Sequence, residues 1–552
     1  MMFHPTWREQ ALAGLDQSFD LVIVGGGITG CGVLLDAAQR GLRVLLVERG
    51  DVASGTSSRS SKLIHGGLRY LKQMQFGVTR QACRERDRMR ALDPDLVHPI
   101  RFLYPAYEGA ATPGWQVDLG LWMYDKLTAG PSTRRRLDAD GVRRLAPGLD
   151  VEHLERALSY EDAFADDAAL TLAVAATGFG YGGLILTRAE AVGGIEGSDG
   201  RLAGLELRDL VTGTVHRVEA RLVVNAAGVW VDRVRTALGP GRGPEGGSKR
   251  GRLRPSRGSH LILPADRLPL DVAVTAPSPD DGRPIFLIPH PEGVLVGTTD
   301  VFHEDADGDL DDPRPSRAEL DYLLRATAFH FPGRGITGAD VVGAFAGLRP
   351  ILSSDVEDPS EASREEAIWE ERGLLTVAGG KLTTWRQMAE EAVDEALEHL
   401  PESRTAHLAP CHTRGTPLVG LAPLDLAERL TRAHRVDPVV ASGMARRLRS
   451  AAWWAPELAR RGRELRPMAE GTDLTAAEVR VHLRFGAVVH LEDLLLRRAR
   501  VGLWRPDRAR EIAPLLRPLF RQELGWSRRR FERELEGFER ALVGWSPEGV
   551  TA

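Results

Sequence analysis

Two periods of apolar and polar positions run along this chain, and the switches between them mark its parts. Phe19-Asp20-Leu21-Val22-Ile23-Val24 is an apolar run of strand length, rich in β-branched residues. Residues 33–40 repeat their apolar positions at helical spacing and are closed by Gly41, and residues 43–47 form a second short apolar run ending on Glu48. This predicts a βαβ unit over about residues 19–48. A charged helix follows at 79–91, stopped by Asp93-Pro94, and its run from Arg84 to Arg88 reads as a solvated face. Residues 101–106 form a short strand. The amphipathic stretch 115–127, with Trp115, Trp122 and Tyr124, reads as core, with membrane or lid contact as the sharper alternative. Residues 166–179 are helical, 184–187 a strand, and 205–210 with 216–220 a hairpin arm running into the buried parallel-type strand 221–224.

Glycine, proline and basic residues at 239–257 mark a loop into a second domain. Strand-like segments at 260–263, 284–288, 294–296 and 341–345, with a helix at 316–331, predict a sheet that covers substrate. The aspartate-rich turn 305–312 lacks EF-hand spacing and reads as a solvated loop. Residues 374–384 read as strand, glycine turn and helix start, and 385–399 as a helix. After a linker at 413–423 helical signals dominate. The predicted fold class is α/β: a discontinuous Rossmann-like dinucleotide-binding domain (19–90, 155–240 and 355–400), an inserted antiparallel β-sheet substrate or cap domain (91–154 and 241–354), and a C-terminal helical domain (413–545).

The length of 552 residues agrees with roughly three or four domains. A net charge of −5 speaks against a general nucleic-acid binder. Cys31, Cys83 and Cys411 are far apart and read as reduced thiols, with no disulfide framework and no metal-ligating set. The first 17 residues carry no apolar h-region, and no apolar run approaches the ~18–20 residues of a spanning helix. The expected location is the cytoplasm. Arginine pairs at 446–447, 460–461 and 497–498, with the triplet 528–530, make the C-terminal region basic. It reads as a peripheral contact with anionic lipid on the inner face of the plasma membrane, or as a solvated face or homodimer surface.

Gly25, Gly27 and Gly30 form a G-x-G-x-x-G turn between the first strand and its helix. The first glycine permits the tight turn, the second lets backbone N–H groups approach a pyrophosphate, and the third lets helix and strand pack closely. Ile28 and Thr29 open the helix whose positive end faces the phosphates. Glu48 stands where an acid accepts hydrogen bonds from a ribose. Asn225-Ala226-Ala227-Gly228 follows another buried strand, so one dinucleotide touches two separated strand ends. The turn alone leaves NAD and FAD both open.

Residues 54–70 are polar, small and then glycine-rich, and end Ser60-Ser61-Lys62-Leu63-Ile64-His65-Gly66-Gly67-Leu68-Arg69-Tyr70. This stretch closely resembles the FAD-dependent glycerol-3-phosphate dehydrogenases. Gly258-Ser259-His260, Gly297-Thr298-Thr299-Asp300, Gly347-Leu348-Arg349-Pro350, Ser363-Arg364 and residues 379–384 follow in that family's order, with Glu365-Glu366 a departure after Arg364. The resemblance implies FAD held by the glycine turn with Glu48, Arg49, Thr56, Ser57, Ser60, Ser61, Lys62, His65, Gly66 and Gly67. Ala226, Gly228, Gly380, Lys381, Leu382 and Thr383 complete that set.

Arg69, Arg349, Arg364 and Lys381 are cations in glycine-flanked or turn-like contexts. A small dianionic phosphate needs several such donors. Tyr70 and Thr298 or Thr299 are candidates to orient hydroxyls. The implied reaction oxidises sn-glycerol 3-phosphate to dihydroxyacetone phosphate by hydride transfer from C2 to flavin N5, with a quinone as acceptor. His65 is expected at the flavin, His260 at the substrate and Arg349 beside the developing alkoxide, and the identity of the base stays open. The alternatives are a glycerol-3-phosphate oxidase reducing O₂, an amine or amino-acid oxidase of the same superfamily, and a non-catalytic flavin binder.

Overall fold

The structure is a computed structural model that describes residues 3–68, 74–110, 112–128, 132–239, 253–304, 310–353 and 366–551. Phe19–Val24 is buried at every position, which is why its pattern is a continuous apolar run. It lies at the centre of a parallel sheet. Val215–Asn225 and then Leu374–Ala378 continue the sheet on one side, Val44–Glu48 and then Leu184–Thr187 on the other. Ala367–Glu371 adds an antiparallel edge. The helices Ile28–Arg40, Asp167–Gly180 and Trp385–Glu398 share one core with this sheet. They pack closely because Gly32 and Gly178 carry no Cβ: one at Gly32 would stand 3.0 Å from Ala389, and one at Gly178 3.1 Å from the Leu35 backbone. The predicted arm is present as Ala189–Glu196, Leu202–Asp209 and the first half of Val215–Asn225.

Among the described residues the second sheet has ten strands, mostly antiparallel, with one parallel pair between Ala273–Pro277 and His98–Tyr107. Its helix Arg317–His330 starts in a capping box made by Ser316 and Glu319, and Leu320, Leu323 and Ala326 pack on Leu261, Val274 and Leu287. Leu154–Phe164 belongs to this sheet, paired with His98–Tyr107 from end to end. That corrects the expected domain boundary at 155. Ala157 to Tyr160 are buried on both faces, so the strand looks like a parallel-sheet strand in sequence.

One expectation about charge is corrected and the other is divided. The helix Phe76–Leu92 does not present its charge run wholly to solvent. Glu85 accepts from Arg386 at 2.8 and 3.0 Å, and the buried Arg86 donates to Asp162 at 2.5 Å and to the Tyr124 hydroxyl at 3.2 Å. The C-terminal helices, from Leu426–His434 to Arg528–Val543, turn several of their arginines inward and leave Arg460, Arg461, Arg528 and Arg529 exposed. Arg497 and Arg498 are buried on Asp51, and Arg500 reaches Asp166 and Asp167. Arg447 pairs with Asp473 and Glu478, and Arg446 with Glu292. The same interface is apolar at its centre, where Leu494, Trp504 and Trp545 join Phe102, Ile288 and Phe345 in one core.

Gly114–Leu127 is core on one side only. Leu121 and Tyr124 are buried, while Trp115, Leu119 and Trp122 are 54%, 47% and 46% exposed on one face.

Candidate active site

A cavity of about 1750 Å³ lies where the two sheets and the C-terminal helices meet. Pockets for drug-sized ligands run to roughly 1,000 Å³, so there is room for an extended dinucleotide and a small second molecule. One arm crosses the carboxyl ends of the parallel strands, at Val24, Val47, Ala226 and Val377.

The glycine turn divides its labour. Gly25 has φ 117°, and a Cβ there would stand 2.5 Å from the Ala226 oxygen. A Cβ on Gly30 would be 1.9 Å from the Gly25 oxygen, so that glycine serves the packing of helix on strand and does not reach the cavity wall. Gly27 differs. The nearest atom to its Cβ would be Ser57 Oγ at 3.4 Å, so the fold leaves the space above it open to the cavity. Gly27 is also the N-cap of the helix Ile28–Arg40 and supplies no side-chain cap. Ile28 N–H donates to Ser57 Oγ at 2.9 Å, and Ile28 and Thr29 line the wall. An uncapped helix N-terminus beneath open space is a site for phosphate.

Glu48 is fixed at the wall by the N–H groups of Gly26 and Gly50, each at 2.6 Å. Burial pushes its carboxyl above the usual range while those two hydrogen bonds pull the other way. Arg49 lines the wall and pairs with Asp311. Thr56 lines it too and donates to the Leu348 carbonyl at 2.6 Å, tying the dinucleotide loop to the second sheet. Ala226 and Gly228 form the far wall. Gly380, at φ 80°, leads Lys381, Leu382 and Thr383 along the near one, and Thr383 Oγ1 accepts from the His65 N–H at 3.2 Å.

The second arm is built on the ten-stranded sheet. Arg349 donates to Asp300 at 3.0 Å and to Thr298 Oγ1 at 3.1 Å, and its side chain is 23% exposed into the cavity. Thr298 lines the wall, whereas Thr299 turns into the sheet: its hydroxyl donates to Glu319 at 2.7 Å and accepts from Ser259 N–H at 2.8 Å. His260 is stacked on Phe345 with ring centres 4.8 Å apart, and its Nε2 lies 2.9 Å from Ser61 Oγ. Burial first, then the charges of Lys62 and Arg349, hold His260 well below the usual imidazole range, so it is neutral at pH 7.

Three of the expected cofactor residues stand back from the cavity wall. Lys62 is fully buried with its amine 3.2 Å from both Asp167 oxygens, and burial pushes it down to about 8. Gly66 donates to the Tyr124 hydroxyl at 2.7 Å and serves packing, since a Cβ would lie 2.3 Å from Cys83 Sγ. Gly30 is the third. Ser57, Ser60, Ser61, His65 and Gly67 do line the wall. Arg69, Tyr70 and Arg364 lie outside the described residues. Sequence reasoning missed an aromatic lining from Phe102, Tyr104, Tyr160 and Phe286, floored by Val117 and Gly120 of the helix Gly114–Leu127. Alternation along 102–104 was its one signal. It also missed Glu492, Arg497 and Trp545, which no local pattern assigns to a cavity. Among the described residues no group of three or more His, Cys, Asp or Glu is placed to hold a metal ion.

The family model for FAD dependent oxidoreductases matches residues 20–380, and that for the C-terminal domain of alpha-glycerophosphate oxidase matches 411–531. A glycerol-3-phosphate dehydrogenase of Mycobacterium leprae is 36% identical, over 94% of this chain and 87% of that protein. An aerobic glycerol-3-phosphate dehydrogenase of Staphylococcus haemolyticus is 38% identical over 73% of this chain and 72% of that one. The crystal structure of the Bacillus halodurans glycerol-3-phosphate dehydrogenase complexed with FAD superposes with a TM-score of 0.78 at 28% identity, covering 99% of this chain and 98% of that one. FAD is the dinucleotide, and the open space over Gly27, the bare helix end and the oriented Glu48 fit its pyrophosphate and ribose. Motifs, fold and both halves of the sequence agree: the chain belongs to the FAD-dependent glycerol-3-phosphate dehydrogenase family.

Proposed function

We propose that this protein oxidises sn-glycerol 3-phosphate to dihydroxyacetone phosphate and hands the electrons to a quinone. The observation that carries the reading is Arg349, a guanidinium oriented by Asp300 and Thr298 on a cavity wall that Lys381 and His260 also line. FAD, when bound, accepts the C2 hydride. Arg349 and Lys381 hold the phosphate through charge-assisted hydrogen bonds, which are shorter and stronger than neutral ones. Arg349 also stabilises charge developing on the C2 oxygen. His260, held neutral by burial first and then by the charges of Lys62 and Arg349, can take a proton.

The aromatic lining supports a quinone as acceptor, because a planar apolar ring stacks on such walls. The helix that floors it carries Trp115, Leu119 and Trp122 on its exposed face, with the Lys126 amine 6.0 Å above the Trp122 ring. That arrangement supports peripheral attachment through this helix at the cytoplasmic face of a membrane, beside the exposed arginines at 460–461 and 528–529. Among the described residues no helix is long and apolar enough to cross a membrane. The match to a glycerophosphate oxidase C-terminal domain favours a second reading, with O₂ as acceptor. Oxygen uptake without added quinone separates the two.

The test of the substrate is anaerobic bleaching of bound FAD by glycerol 3-phosphate, followed by Lys381→Ala kinetics. Losing one buried partner of a charge pair costs ~2–5 kcal/mol, at least roughly thirtyfold in binding. KM for glycerol 3-phosphate should rise by that much with kcat changed less, and the defect on glycerol should be far smaller. Equal losses on both substrates would show that Lys381 serves the flavin or the fold.

A further inference from the structure

His260 is only 2% exposed. Its Nδ1 is buried without a hydrogen-bond partner, and its Nε2 meets the Ser61 hydroxyl at 2.9 Å. In the tautomer that carries its hydrogen on Nδ1, the Nε2 lone pair accepts from Ser61 O–H. Ser61 itself lines the cavity. The hydroxyl and the imidazole it contacts therefore face the same space, the one in which an alcohol would react.

The loop around Ser61 is clamped. Asp167 accepts from Ser60 N–H at 2.9 Å, from Ser60 Oγ at 2.8 Å and from the Lys62 amine at 3.2 Å. The Lys62 carbonyl accepts from Ala165 N–H at 3.0 Å, and Lys62 is held at φ 61°. Arg500 of the C-terminal region fixes Asp167 in turn at 2.8 Å. Both neighbours of Ser61 are thus anchored to buried groups, which leaves rotation of its own hydroxyl as its main freedom.

We propose that Ser61 is the relay through which the C2 hydroxyl proton of the substrate reaches His260, a step that rests on the alcohol-oxidation reading above. The C2–H bond breaks as hydride and its electron pair reduces the bound flavin. The substrate O–H bond breaks, its proton goes to Ser61 Oγ, the Ser61 proton goes to His260 Nε2, and the C2=O bond closes. The substrate loses two electrons and the flavin gains them. Ser61 ends neutral, and His260 holds the proton until solvent takes it. Asp167 and Arg500 act as positioning residues for this relay.

The experiment is anaerobic stopped-flow reduction of the parent, Ser61→Ala and Ser61→Thr by glycerol 3-phosphate, after FAD content is matched. Positioned proton transfer contributes roughly 10²–10⁴-fold. Ser61→Ala should lose about 10²-fold or more in limiting rate with substrate Kd changed less than about threefold, and Ser61→Thr, which keeps the hydroxyl, should recover most of it. The parent's low-pH limb should vanish in Ser61→Ala. An alanine variant within about threefold of the parent overturns the relay, and so does a loss that threonine does not restore. A parent that glycerol 3-phosphate fails to bleach overturns the reading of the reaction and the relay with it. The proton inventory of the parent needs no variant and covers the case in which Ser61→Ala does not hold FAD: two protons in flight bow the curve, and a straight line overturns the relay.

Discussion

Asp51→Asn asks whether the C-terminal helices are a working wall of the cavity. Asp51 is 1% exposed and accepts from Arg497 Nε at 2.5 Å and from both terminal nitrogens of Arg498, one of them at 2.8 Å. Asparagine keeps the shape and removes the charge. Breaking a buried pair costs ~3–5 kcal/mol because the partner is left uncompensated. Here the low end applies. Arg497 retains Glu492 and Asp493, and Arg498 retains the carbonyls of Gly486 at 2.7 Å and Ala487 at 3.1 Å. About 3 kcal/mol is on the order of 10²-fold in the docking equilibrium. Amide hydrogen exchange over residues 487–500 should accelerate by that factor. Since Arg497 lines the cavity and Asp51 lies on the loop after Glu48, the FAD dissociation constant, measured by flavin fluorescence, should rise with it. Exchange and FAD affinity both within about threefold of the parent would refute the argument. The interface would then be held by Leu494, Trp504 and their apolar neighbours alone.

Gly27→Ala should leave the melting temperature of the FAD-free protein unchanged and weaken FAD at least about tenfold, because its Cβ fills cavity space and touches only Ser57. Gly30→Ala should instead lower that melting temperature, since its Cβ collides with the Gly25 carbonyl. Lys62 has a folded pKa of about 8 against 10.5 unfolded. Between those values the unfolded chain binds the extra proton, so Lys62 makes stability rise with pH. Lys62→Met should flatten the change in thermal midpoint from pH 7.5 to 10, and an unchanged slope would count against the burial argument. Replacing Trp115, Leu119 and Trp122 with serine should abolish sedimentation with anionic vesicles while leaving soluble-acceptor turnover intact, and undiminished sedimentation would move the contact elsewhere.

What the sequence made legible was local. The turn at Gly25, the arm at 202–225 and the helix capped by Ser316 each lie within one short window, where spacing and end residues carry the signal. Family order supplied Arg349 and His260, and the structure puts both on the cavity wall. What stayed hidden depends on partners hundreds of positions away. Glu85 looks solvated until Arg386 is placed against it, and Arg497 looks like a surface charge until Asp51 is. Thr298 and Thr299 are adjacent and chemically alike, and only the path of the strand shows that one faces the cavity and the other Glu319. Leu154–Phe164 changed sheets because burial on both sides erases the alternation that tells a cap strand from a parallel one.

The order of strands in the parallel sheet also sets an order of events in biosynthesis. The sheet's central strand, Phe19–Val24, is made well before its neighbour Val215–Asn225, which pairs on its other edge with Leu374–Ala378. The cavity wall at 379–383 comes only after that strand, and Trp545 later still. A nascent chain can therefore display a finished glycine turn long before it owns a closed site. Cofactor capture should therefore follow synthesis of residues 379–383 and of Trp545, not that of the glycine turn.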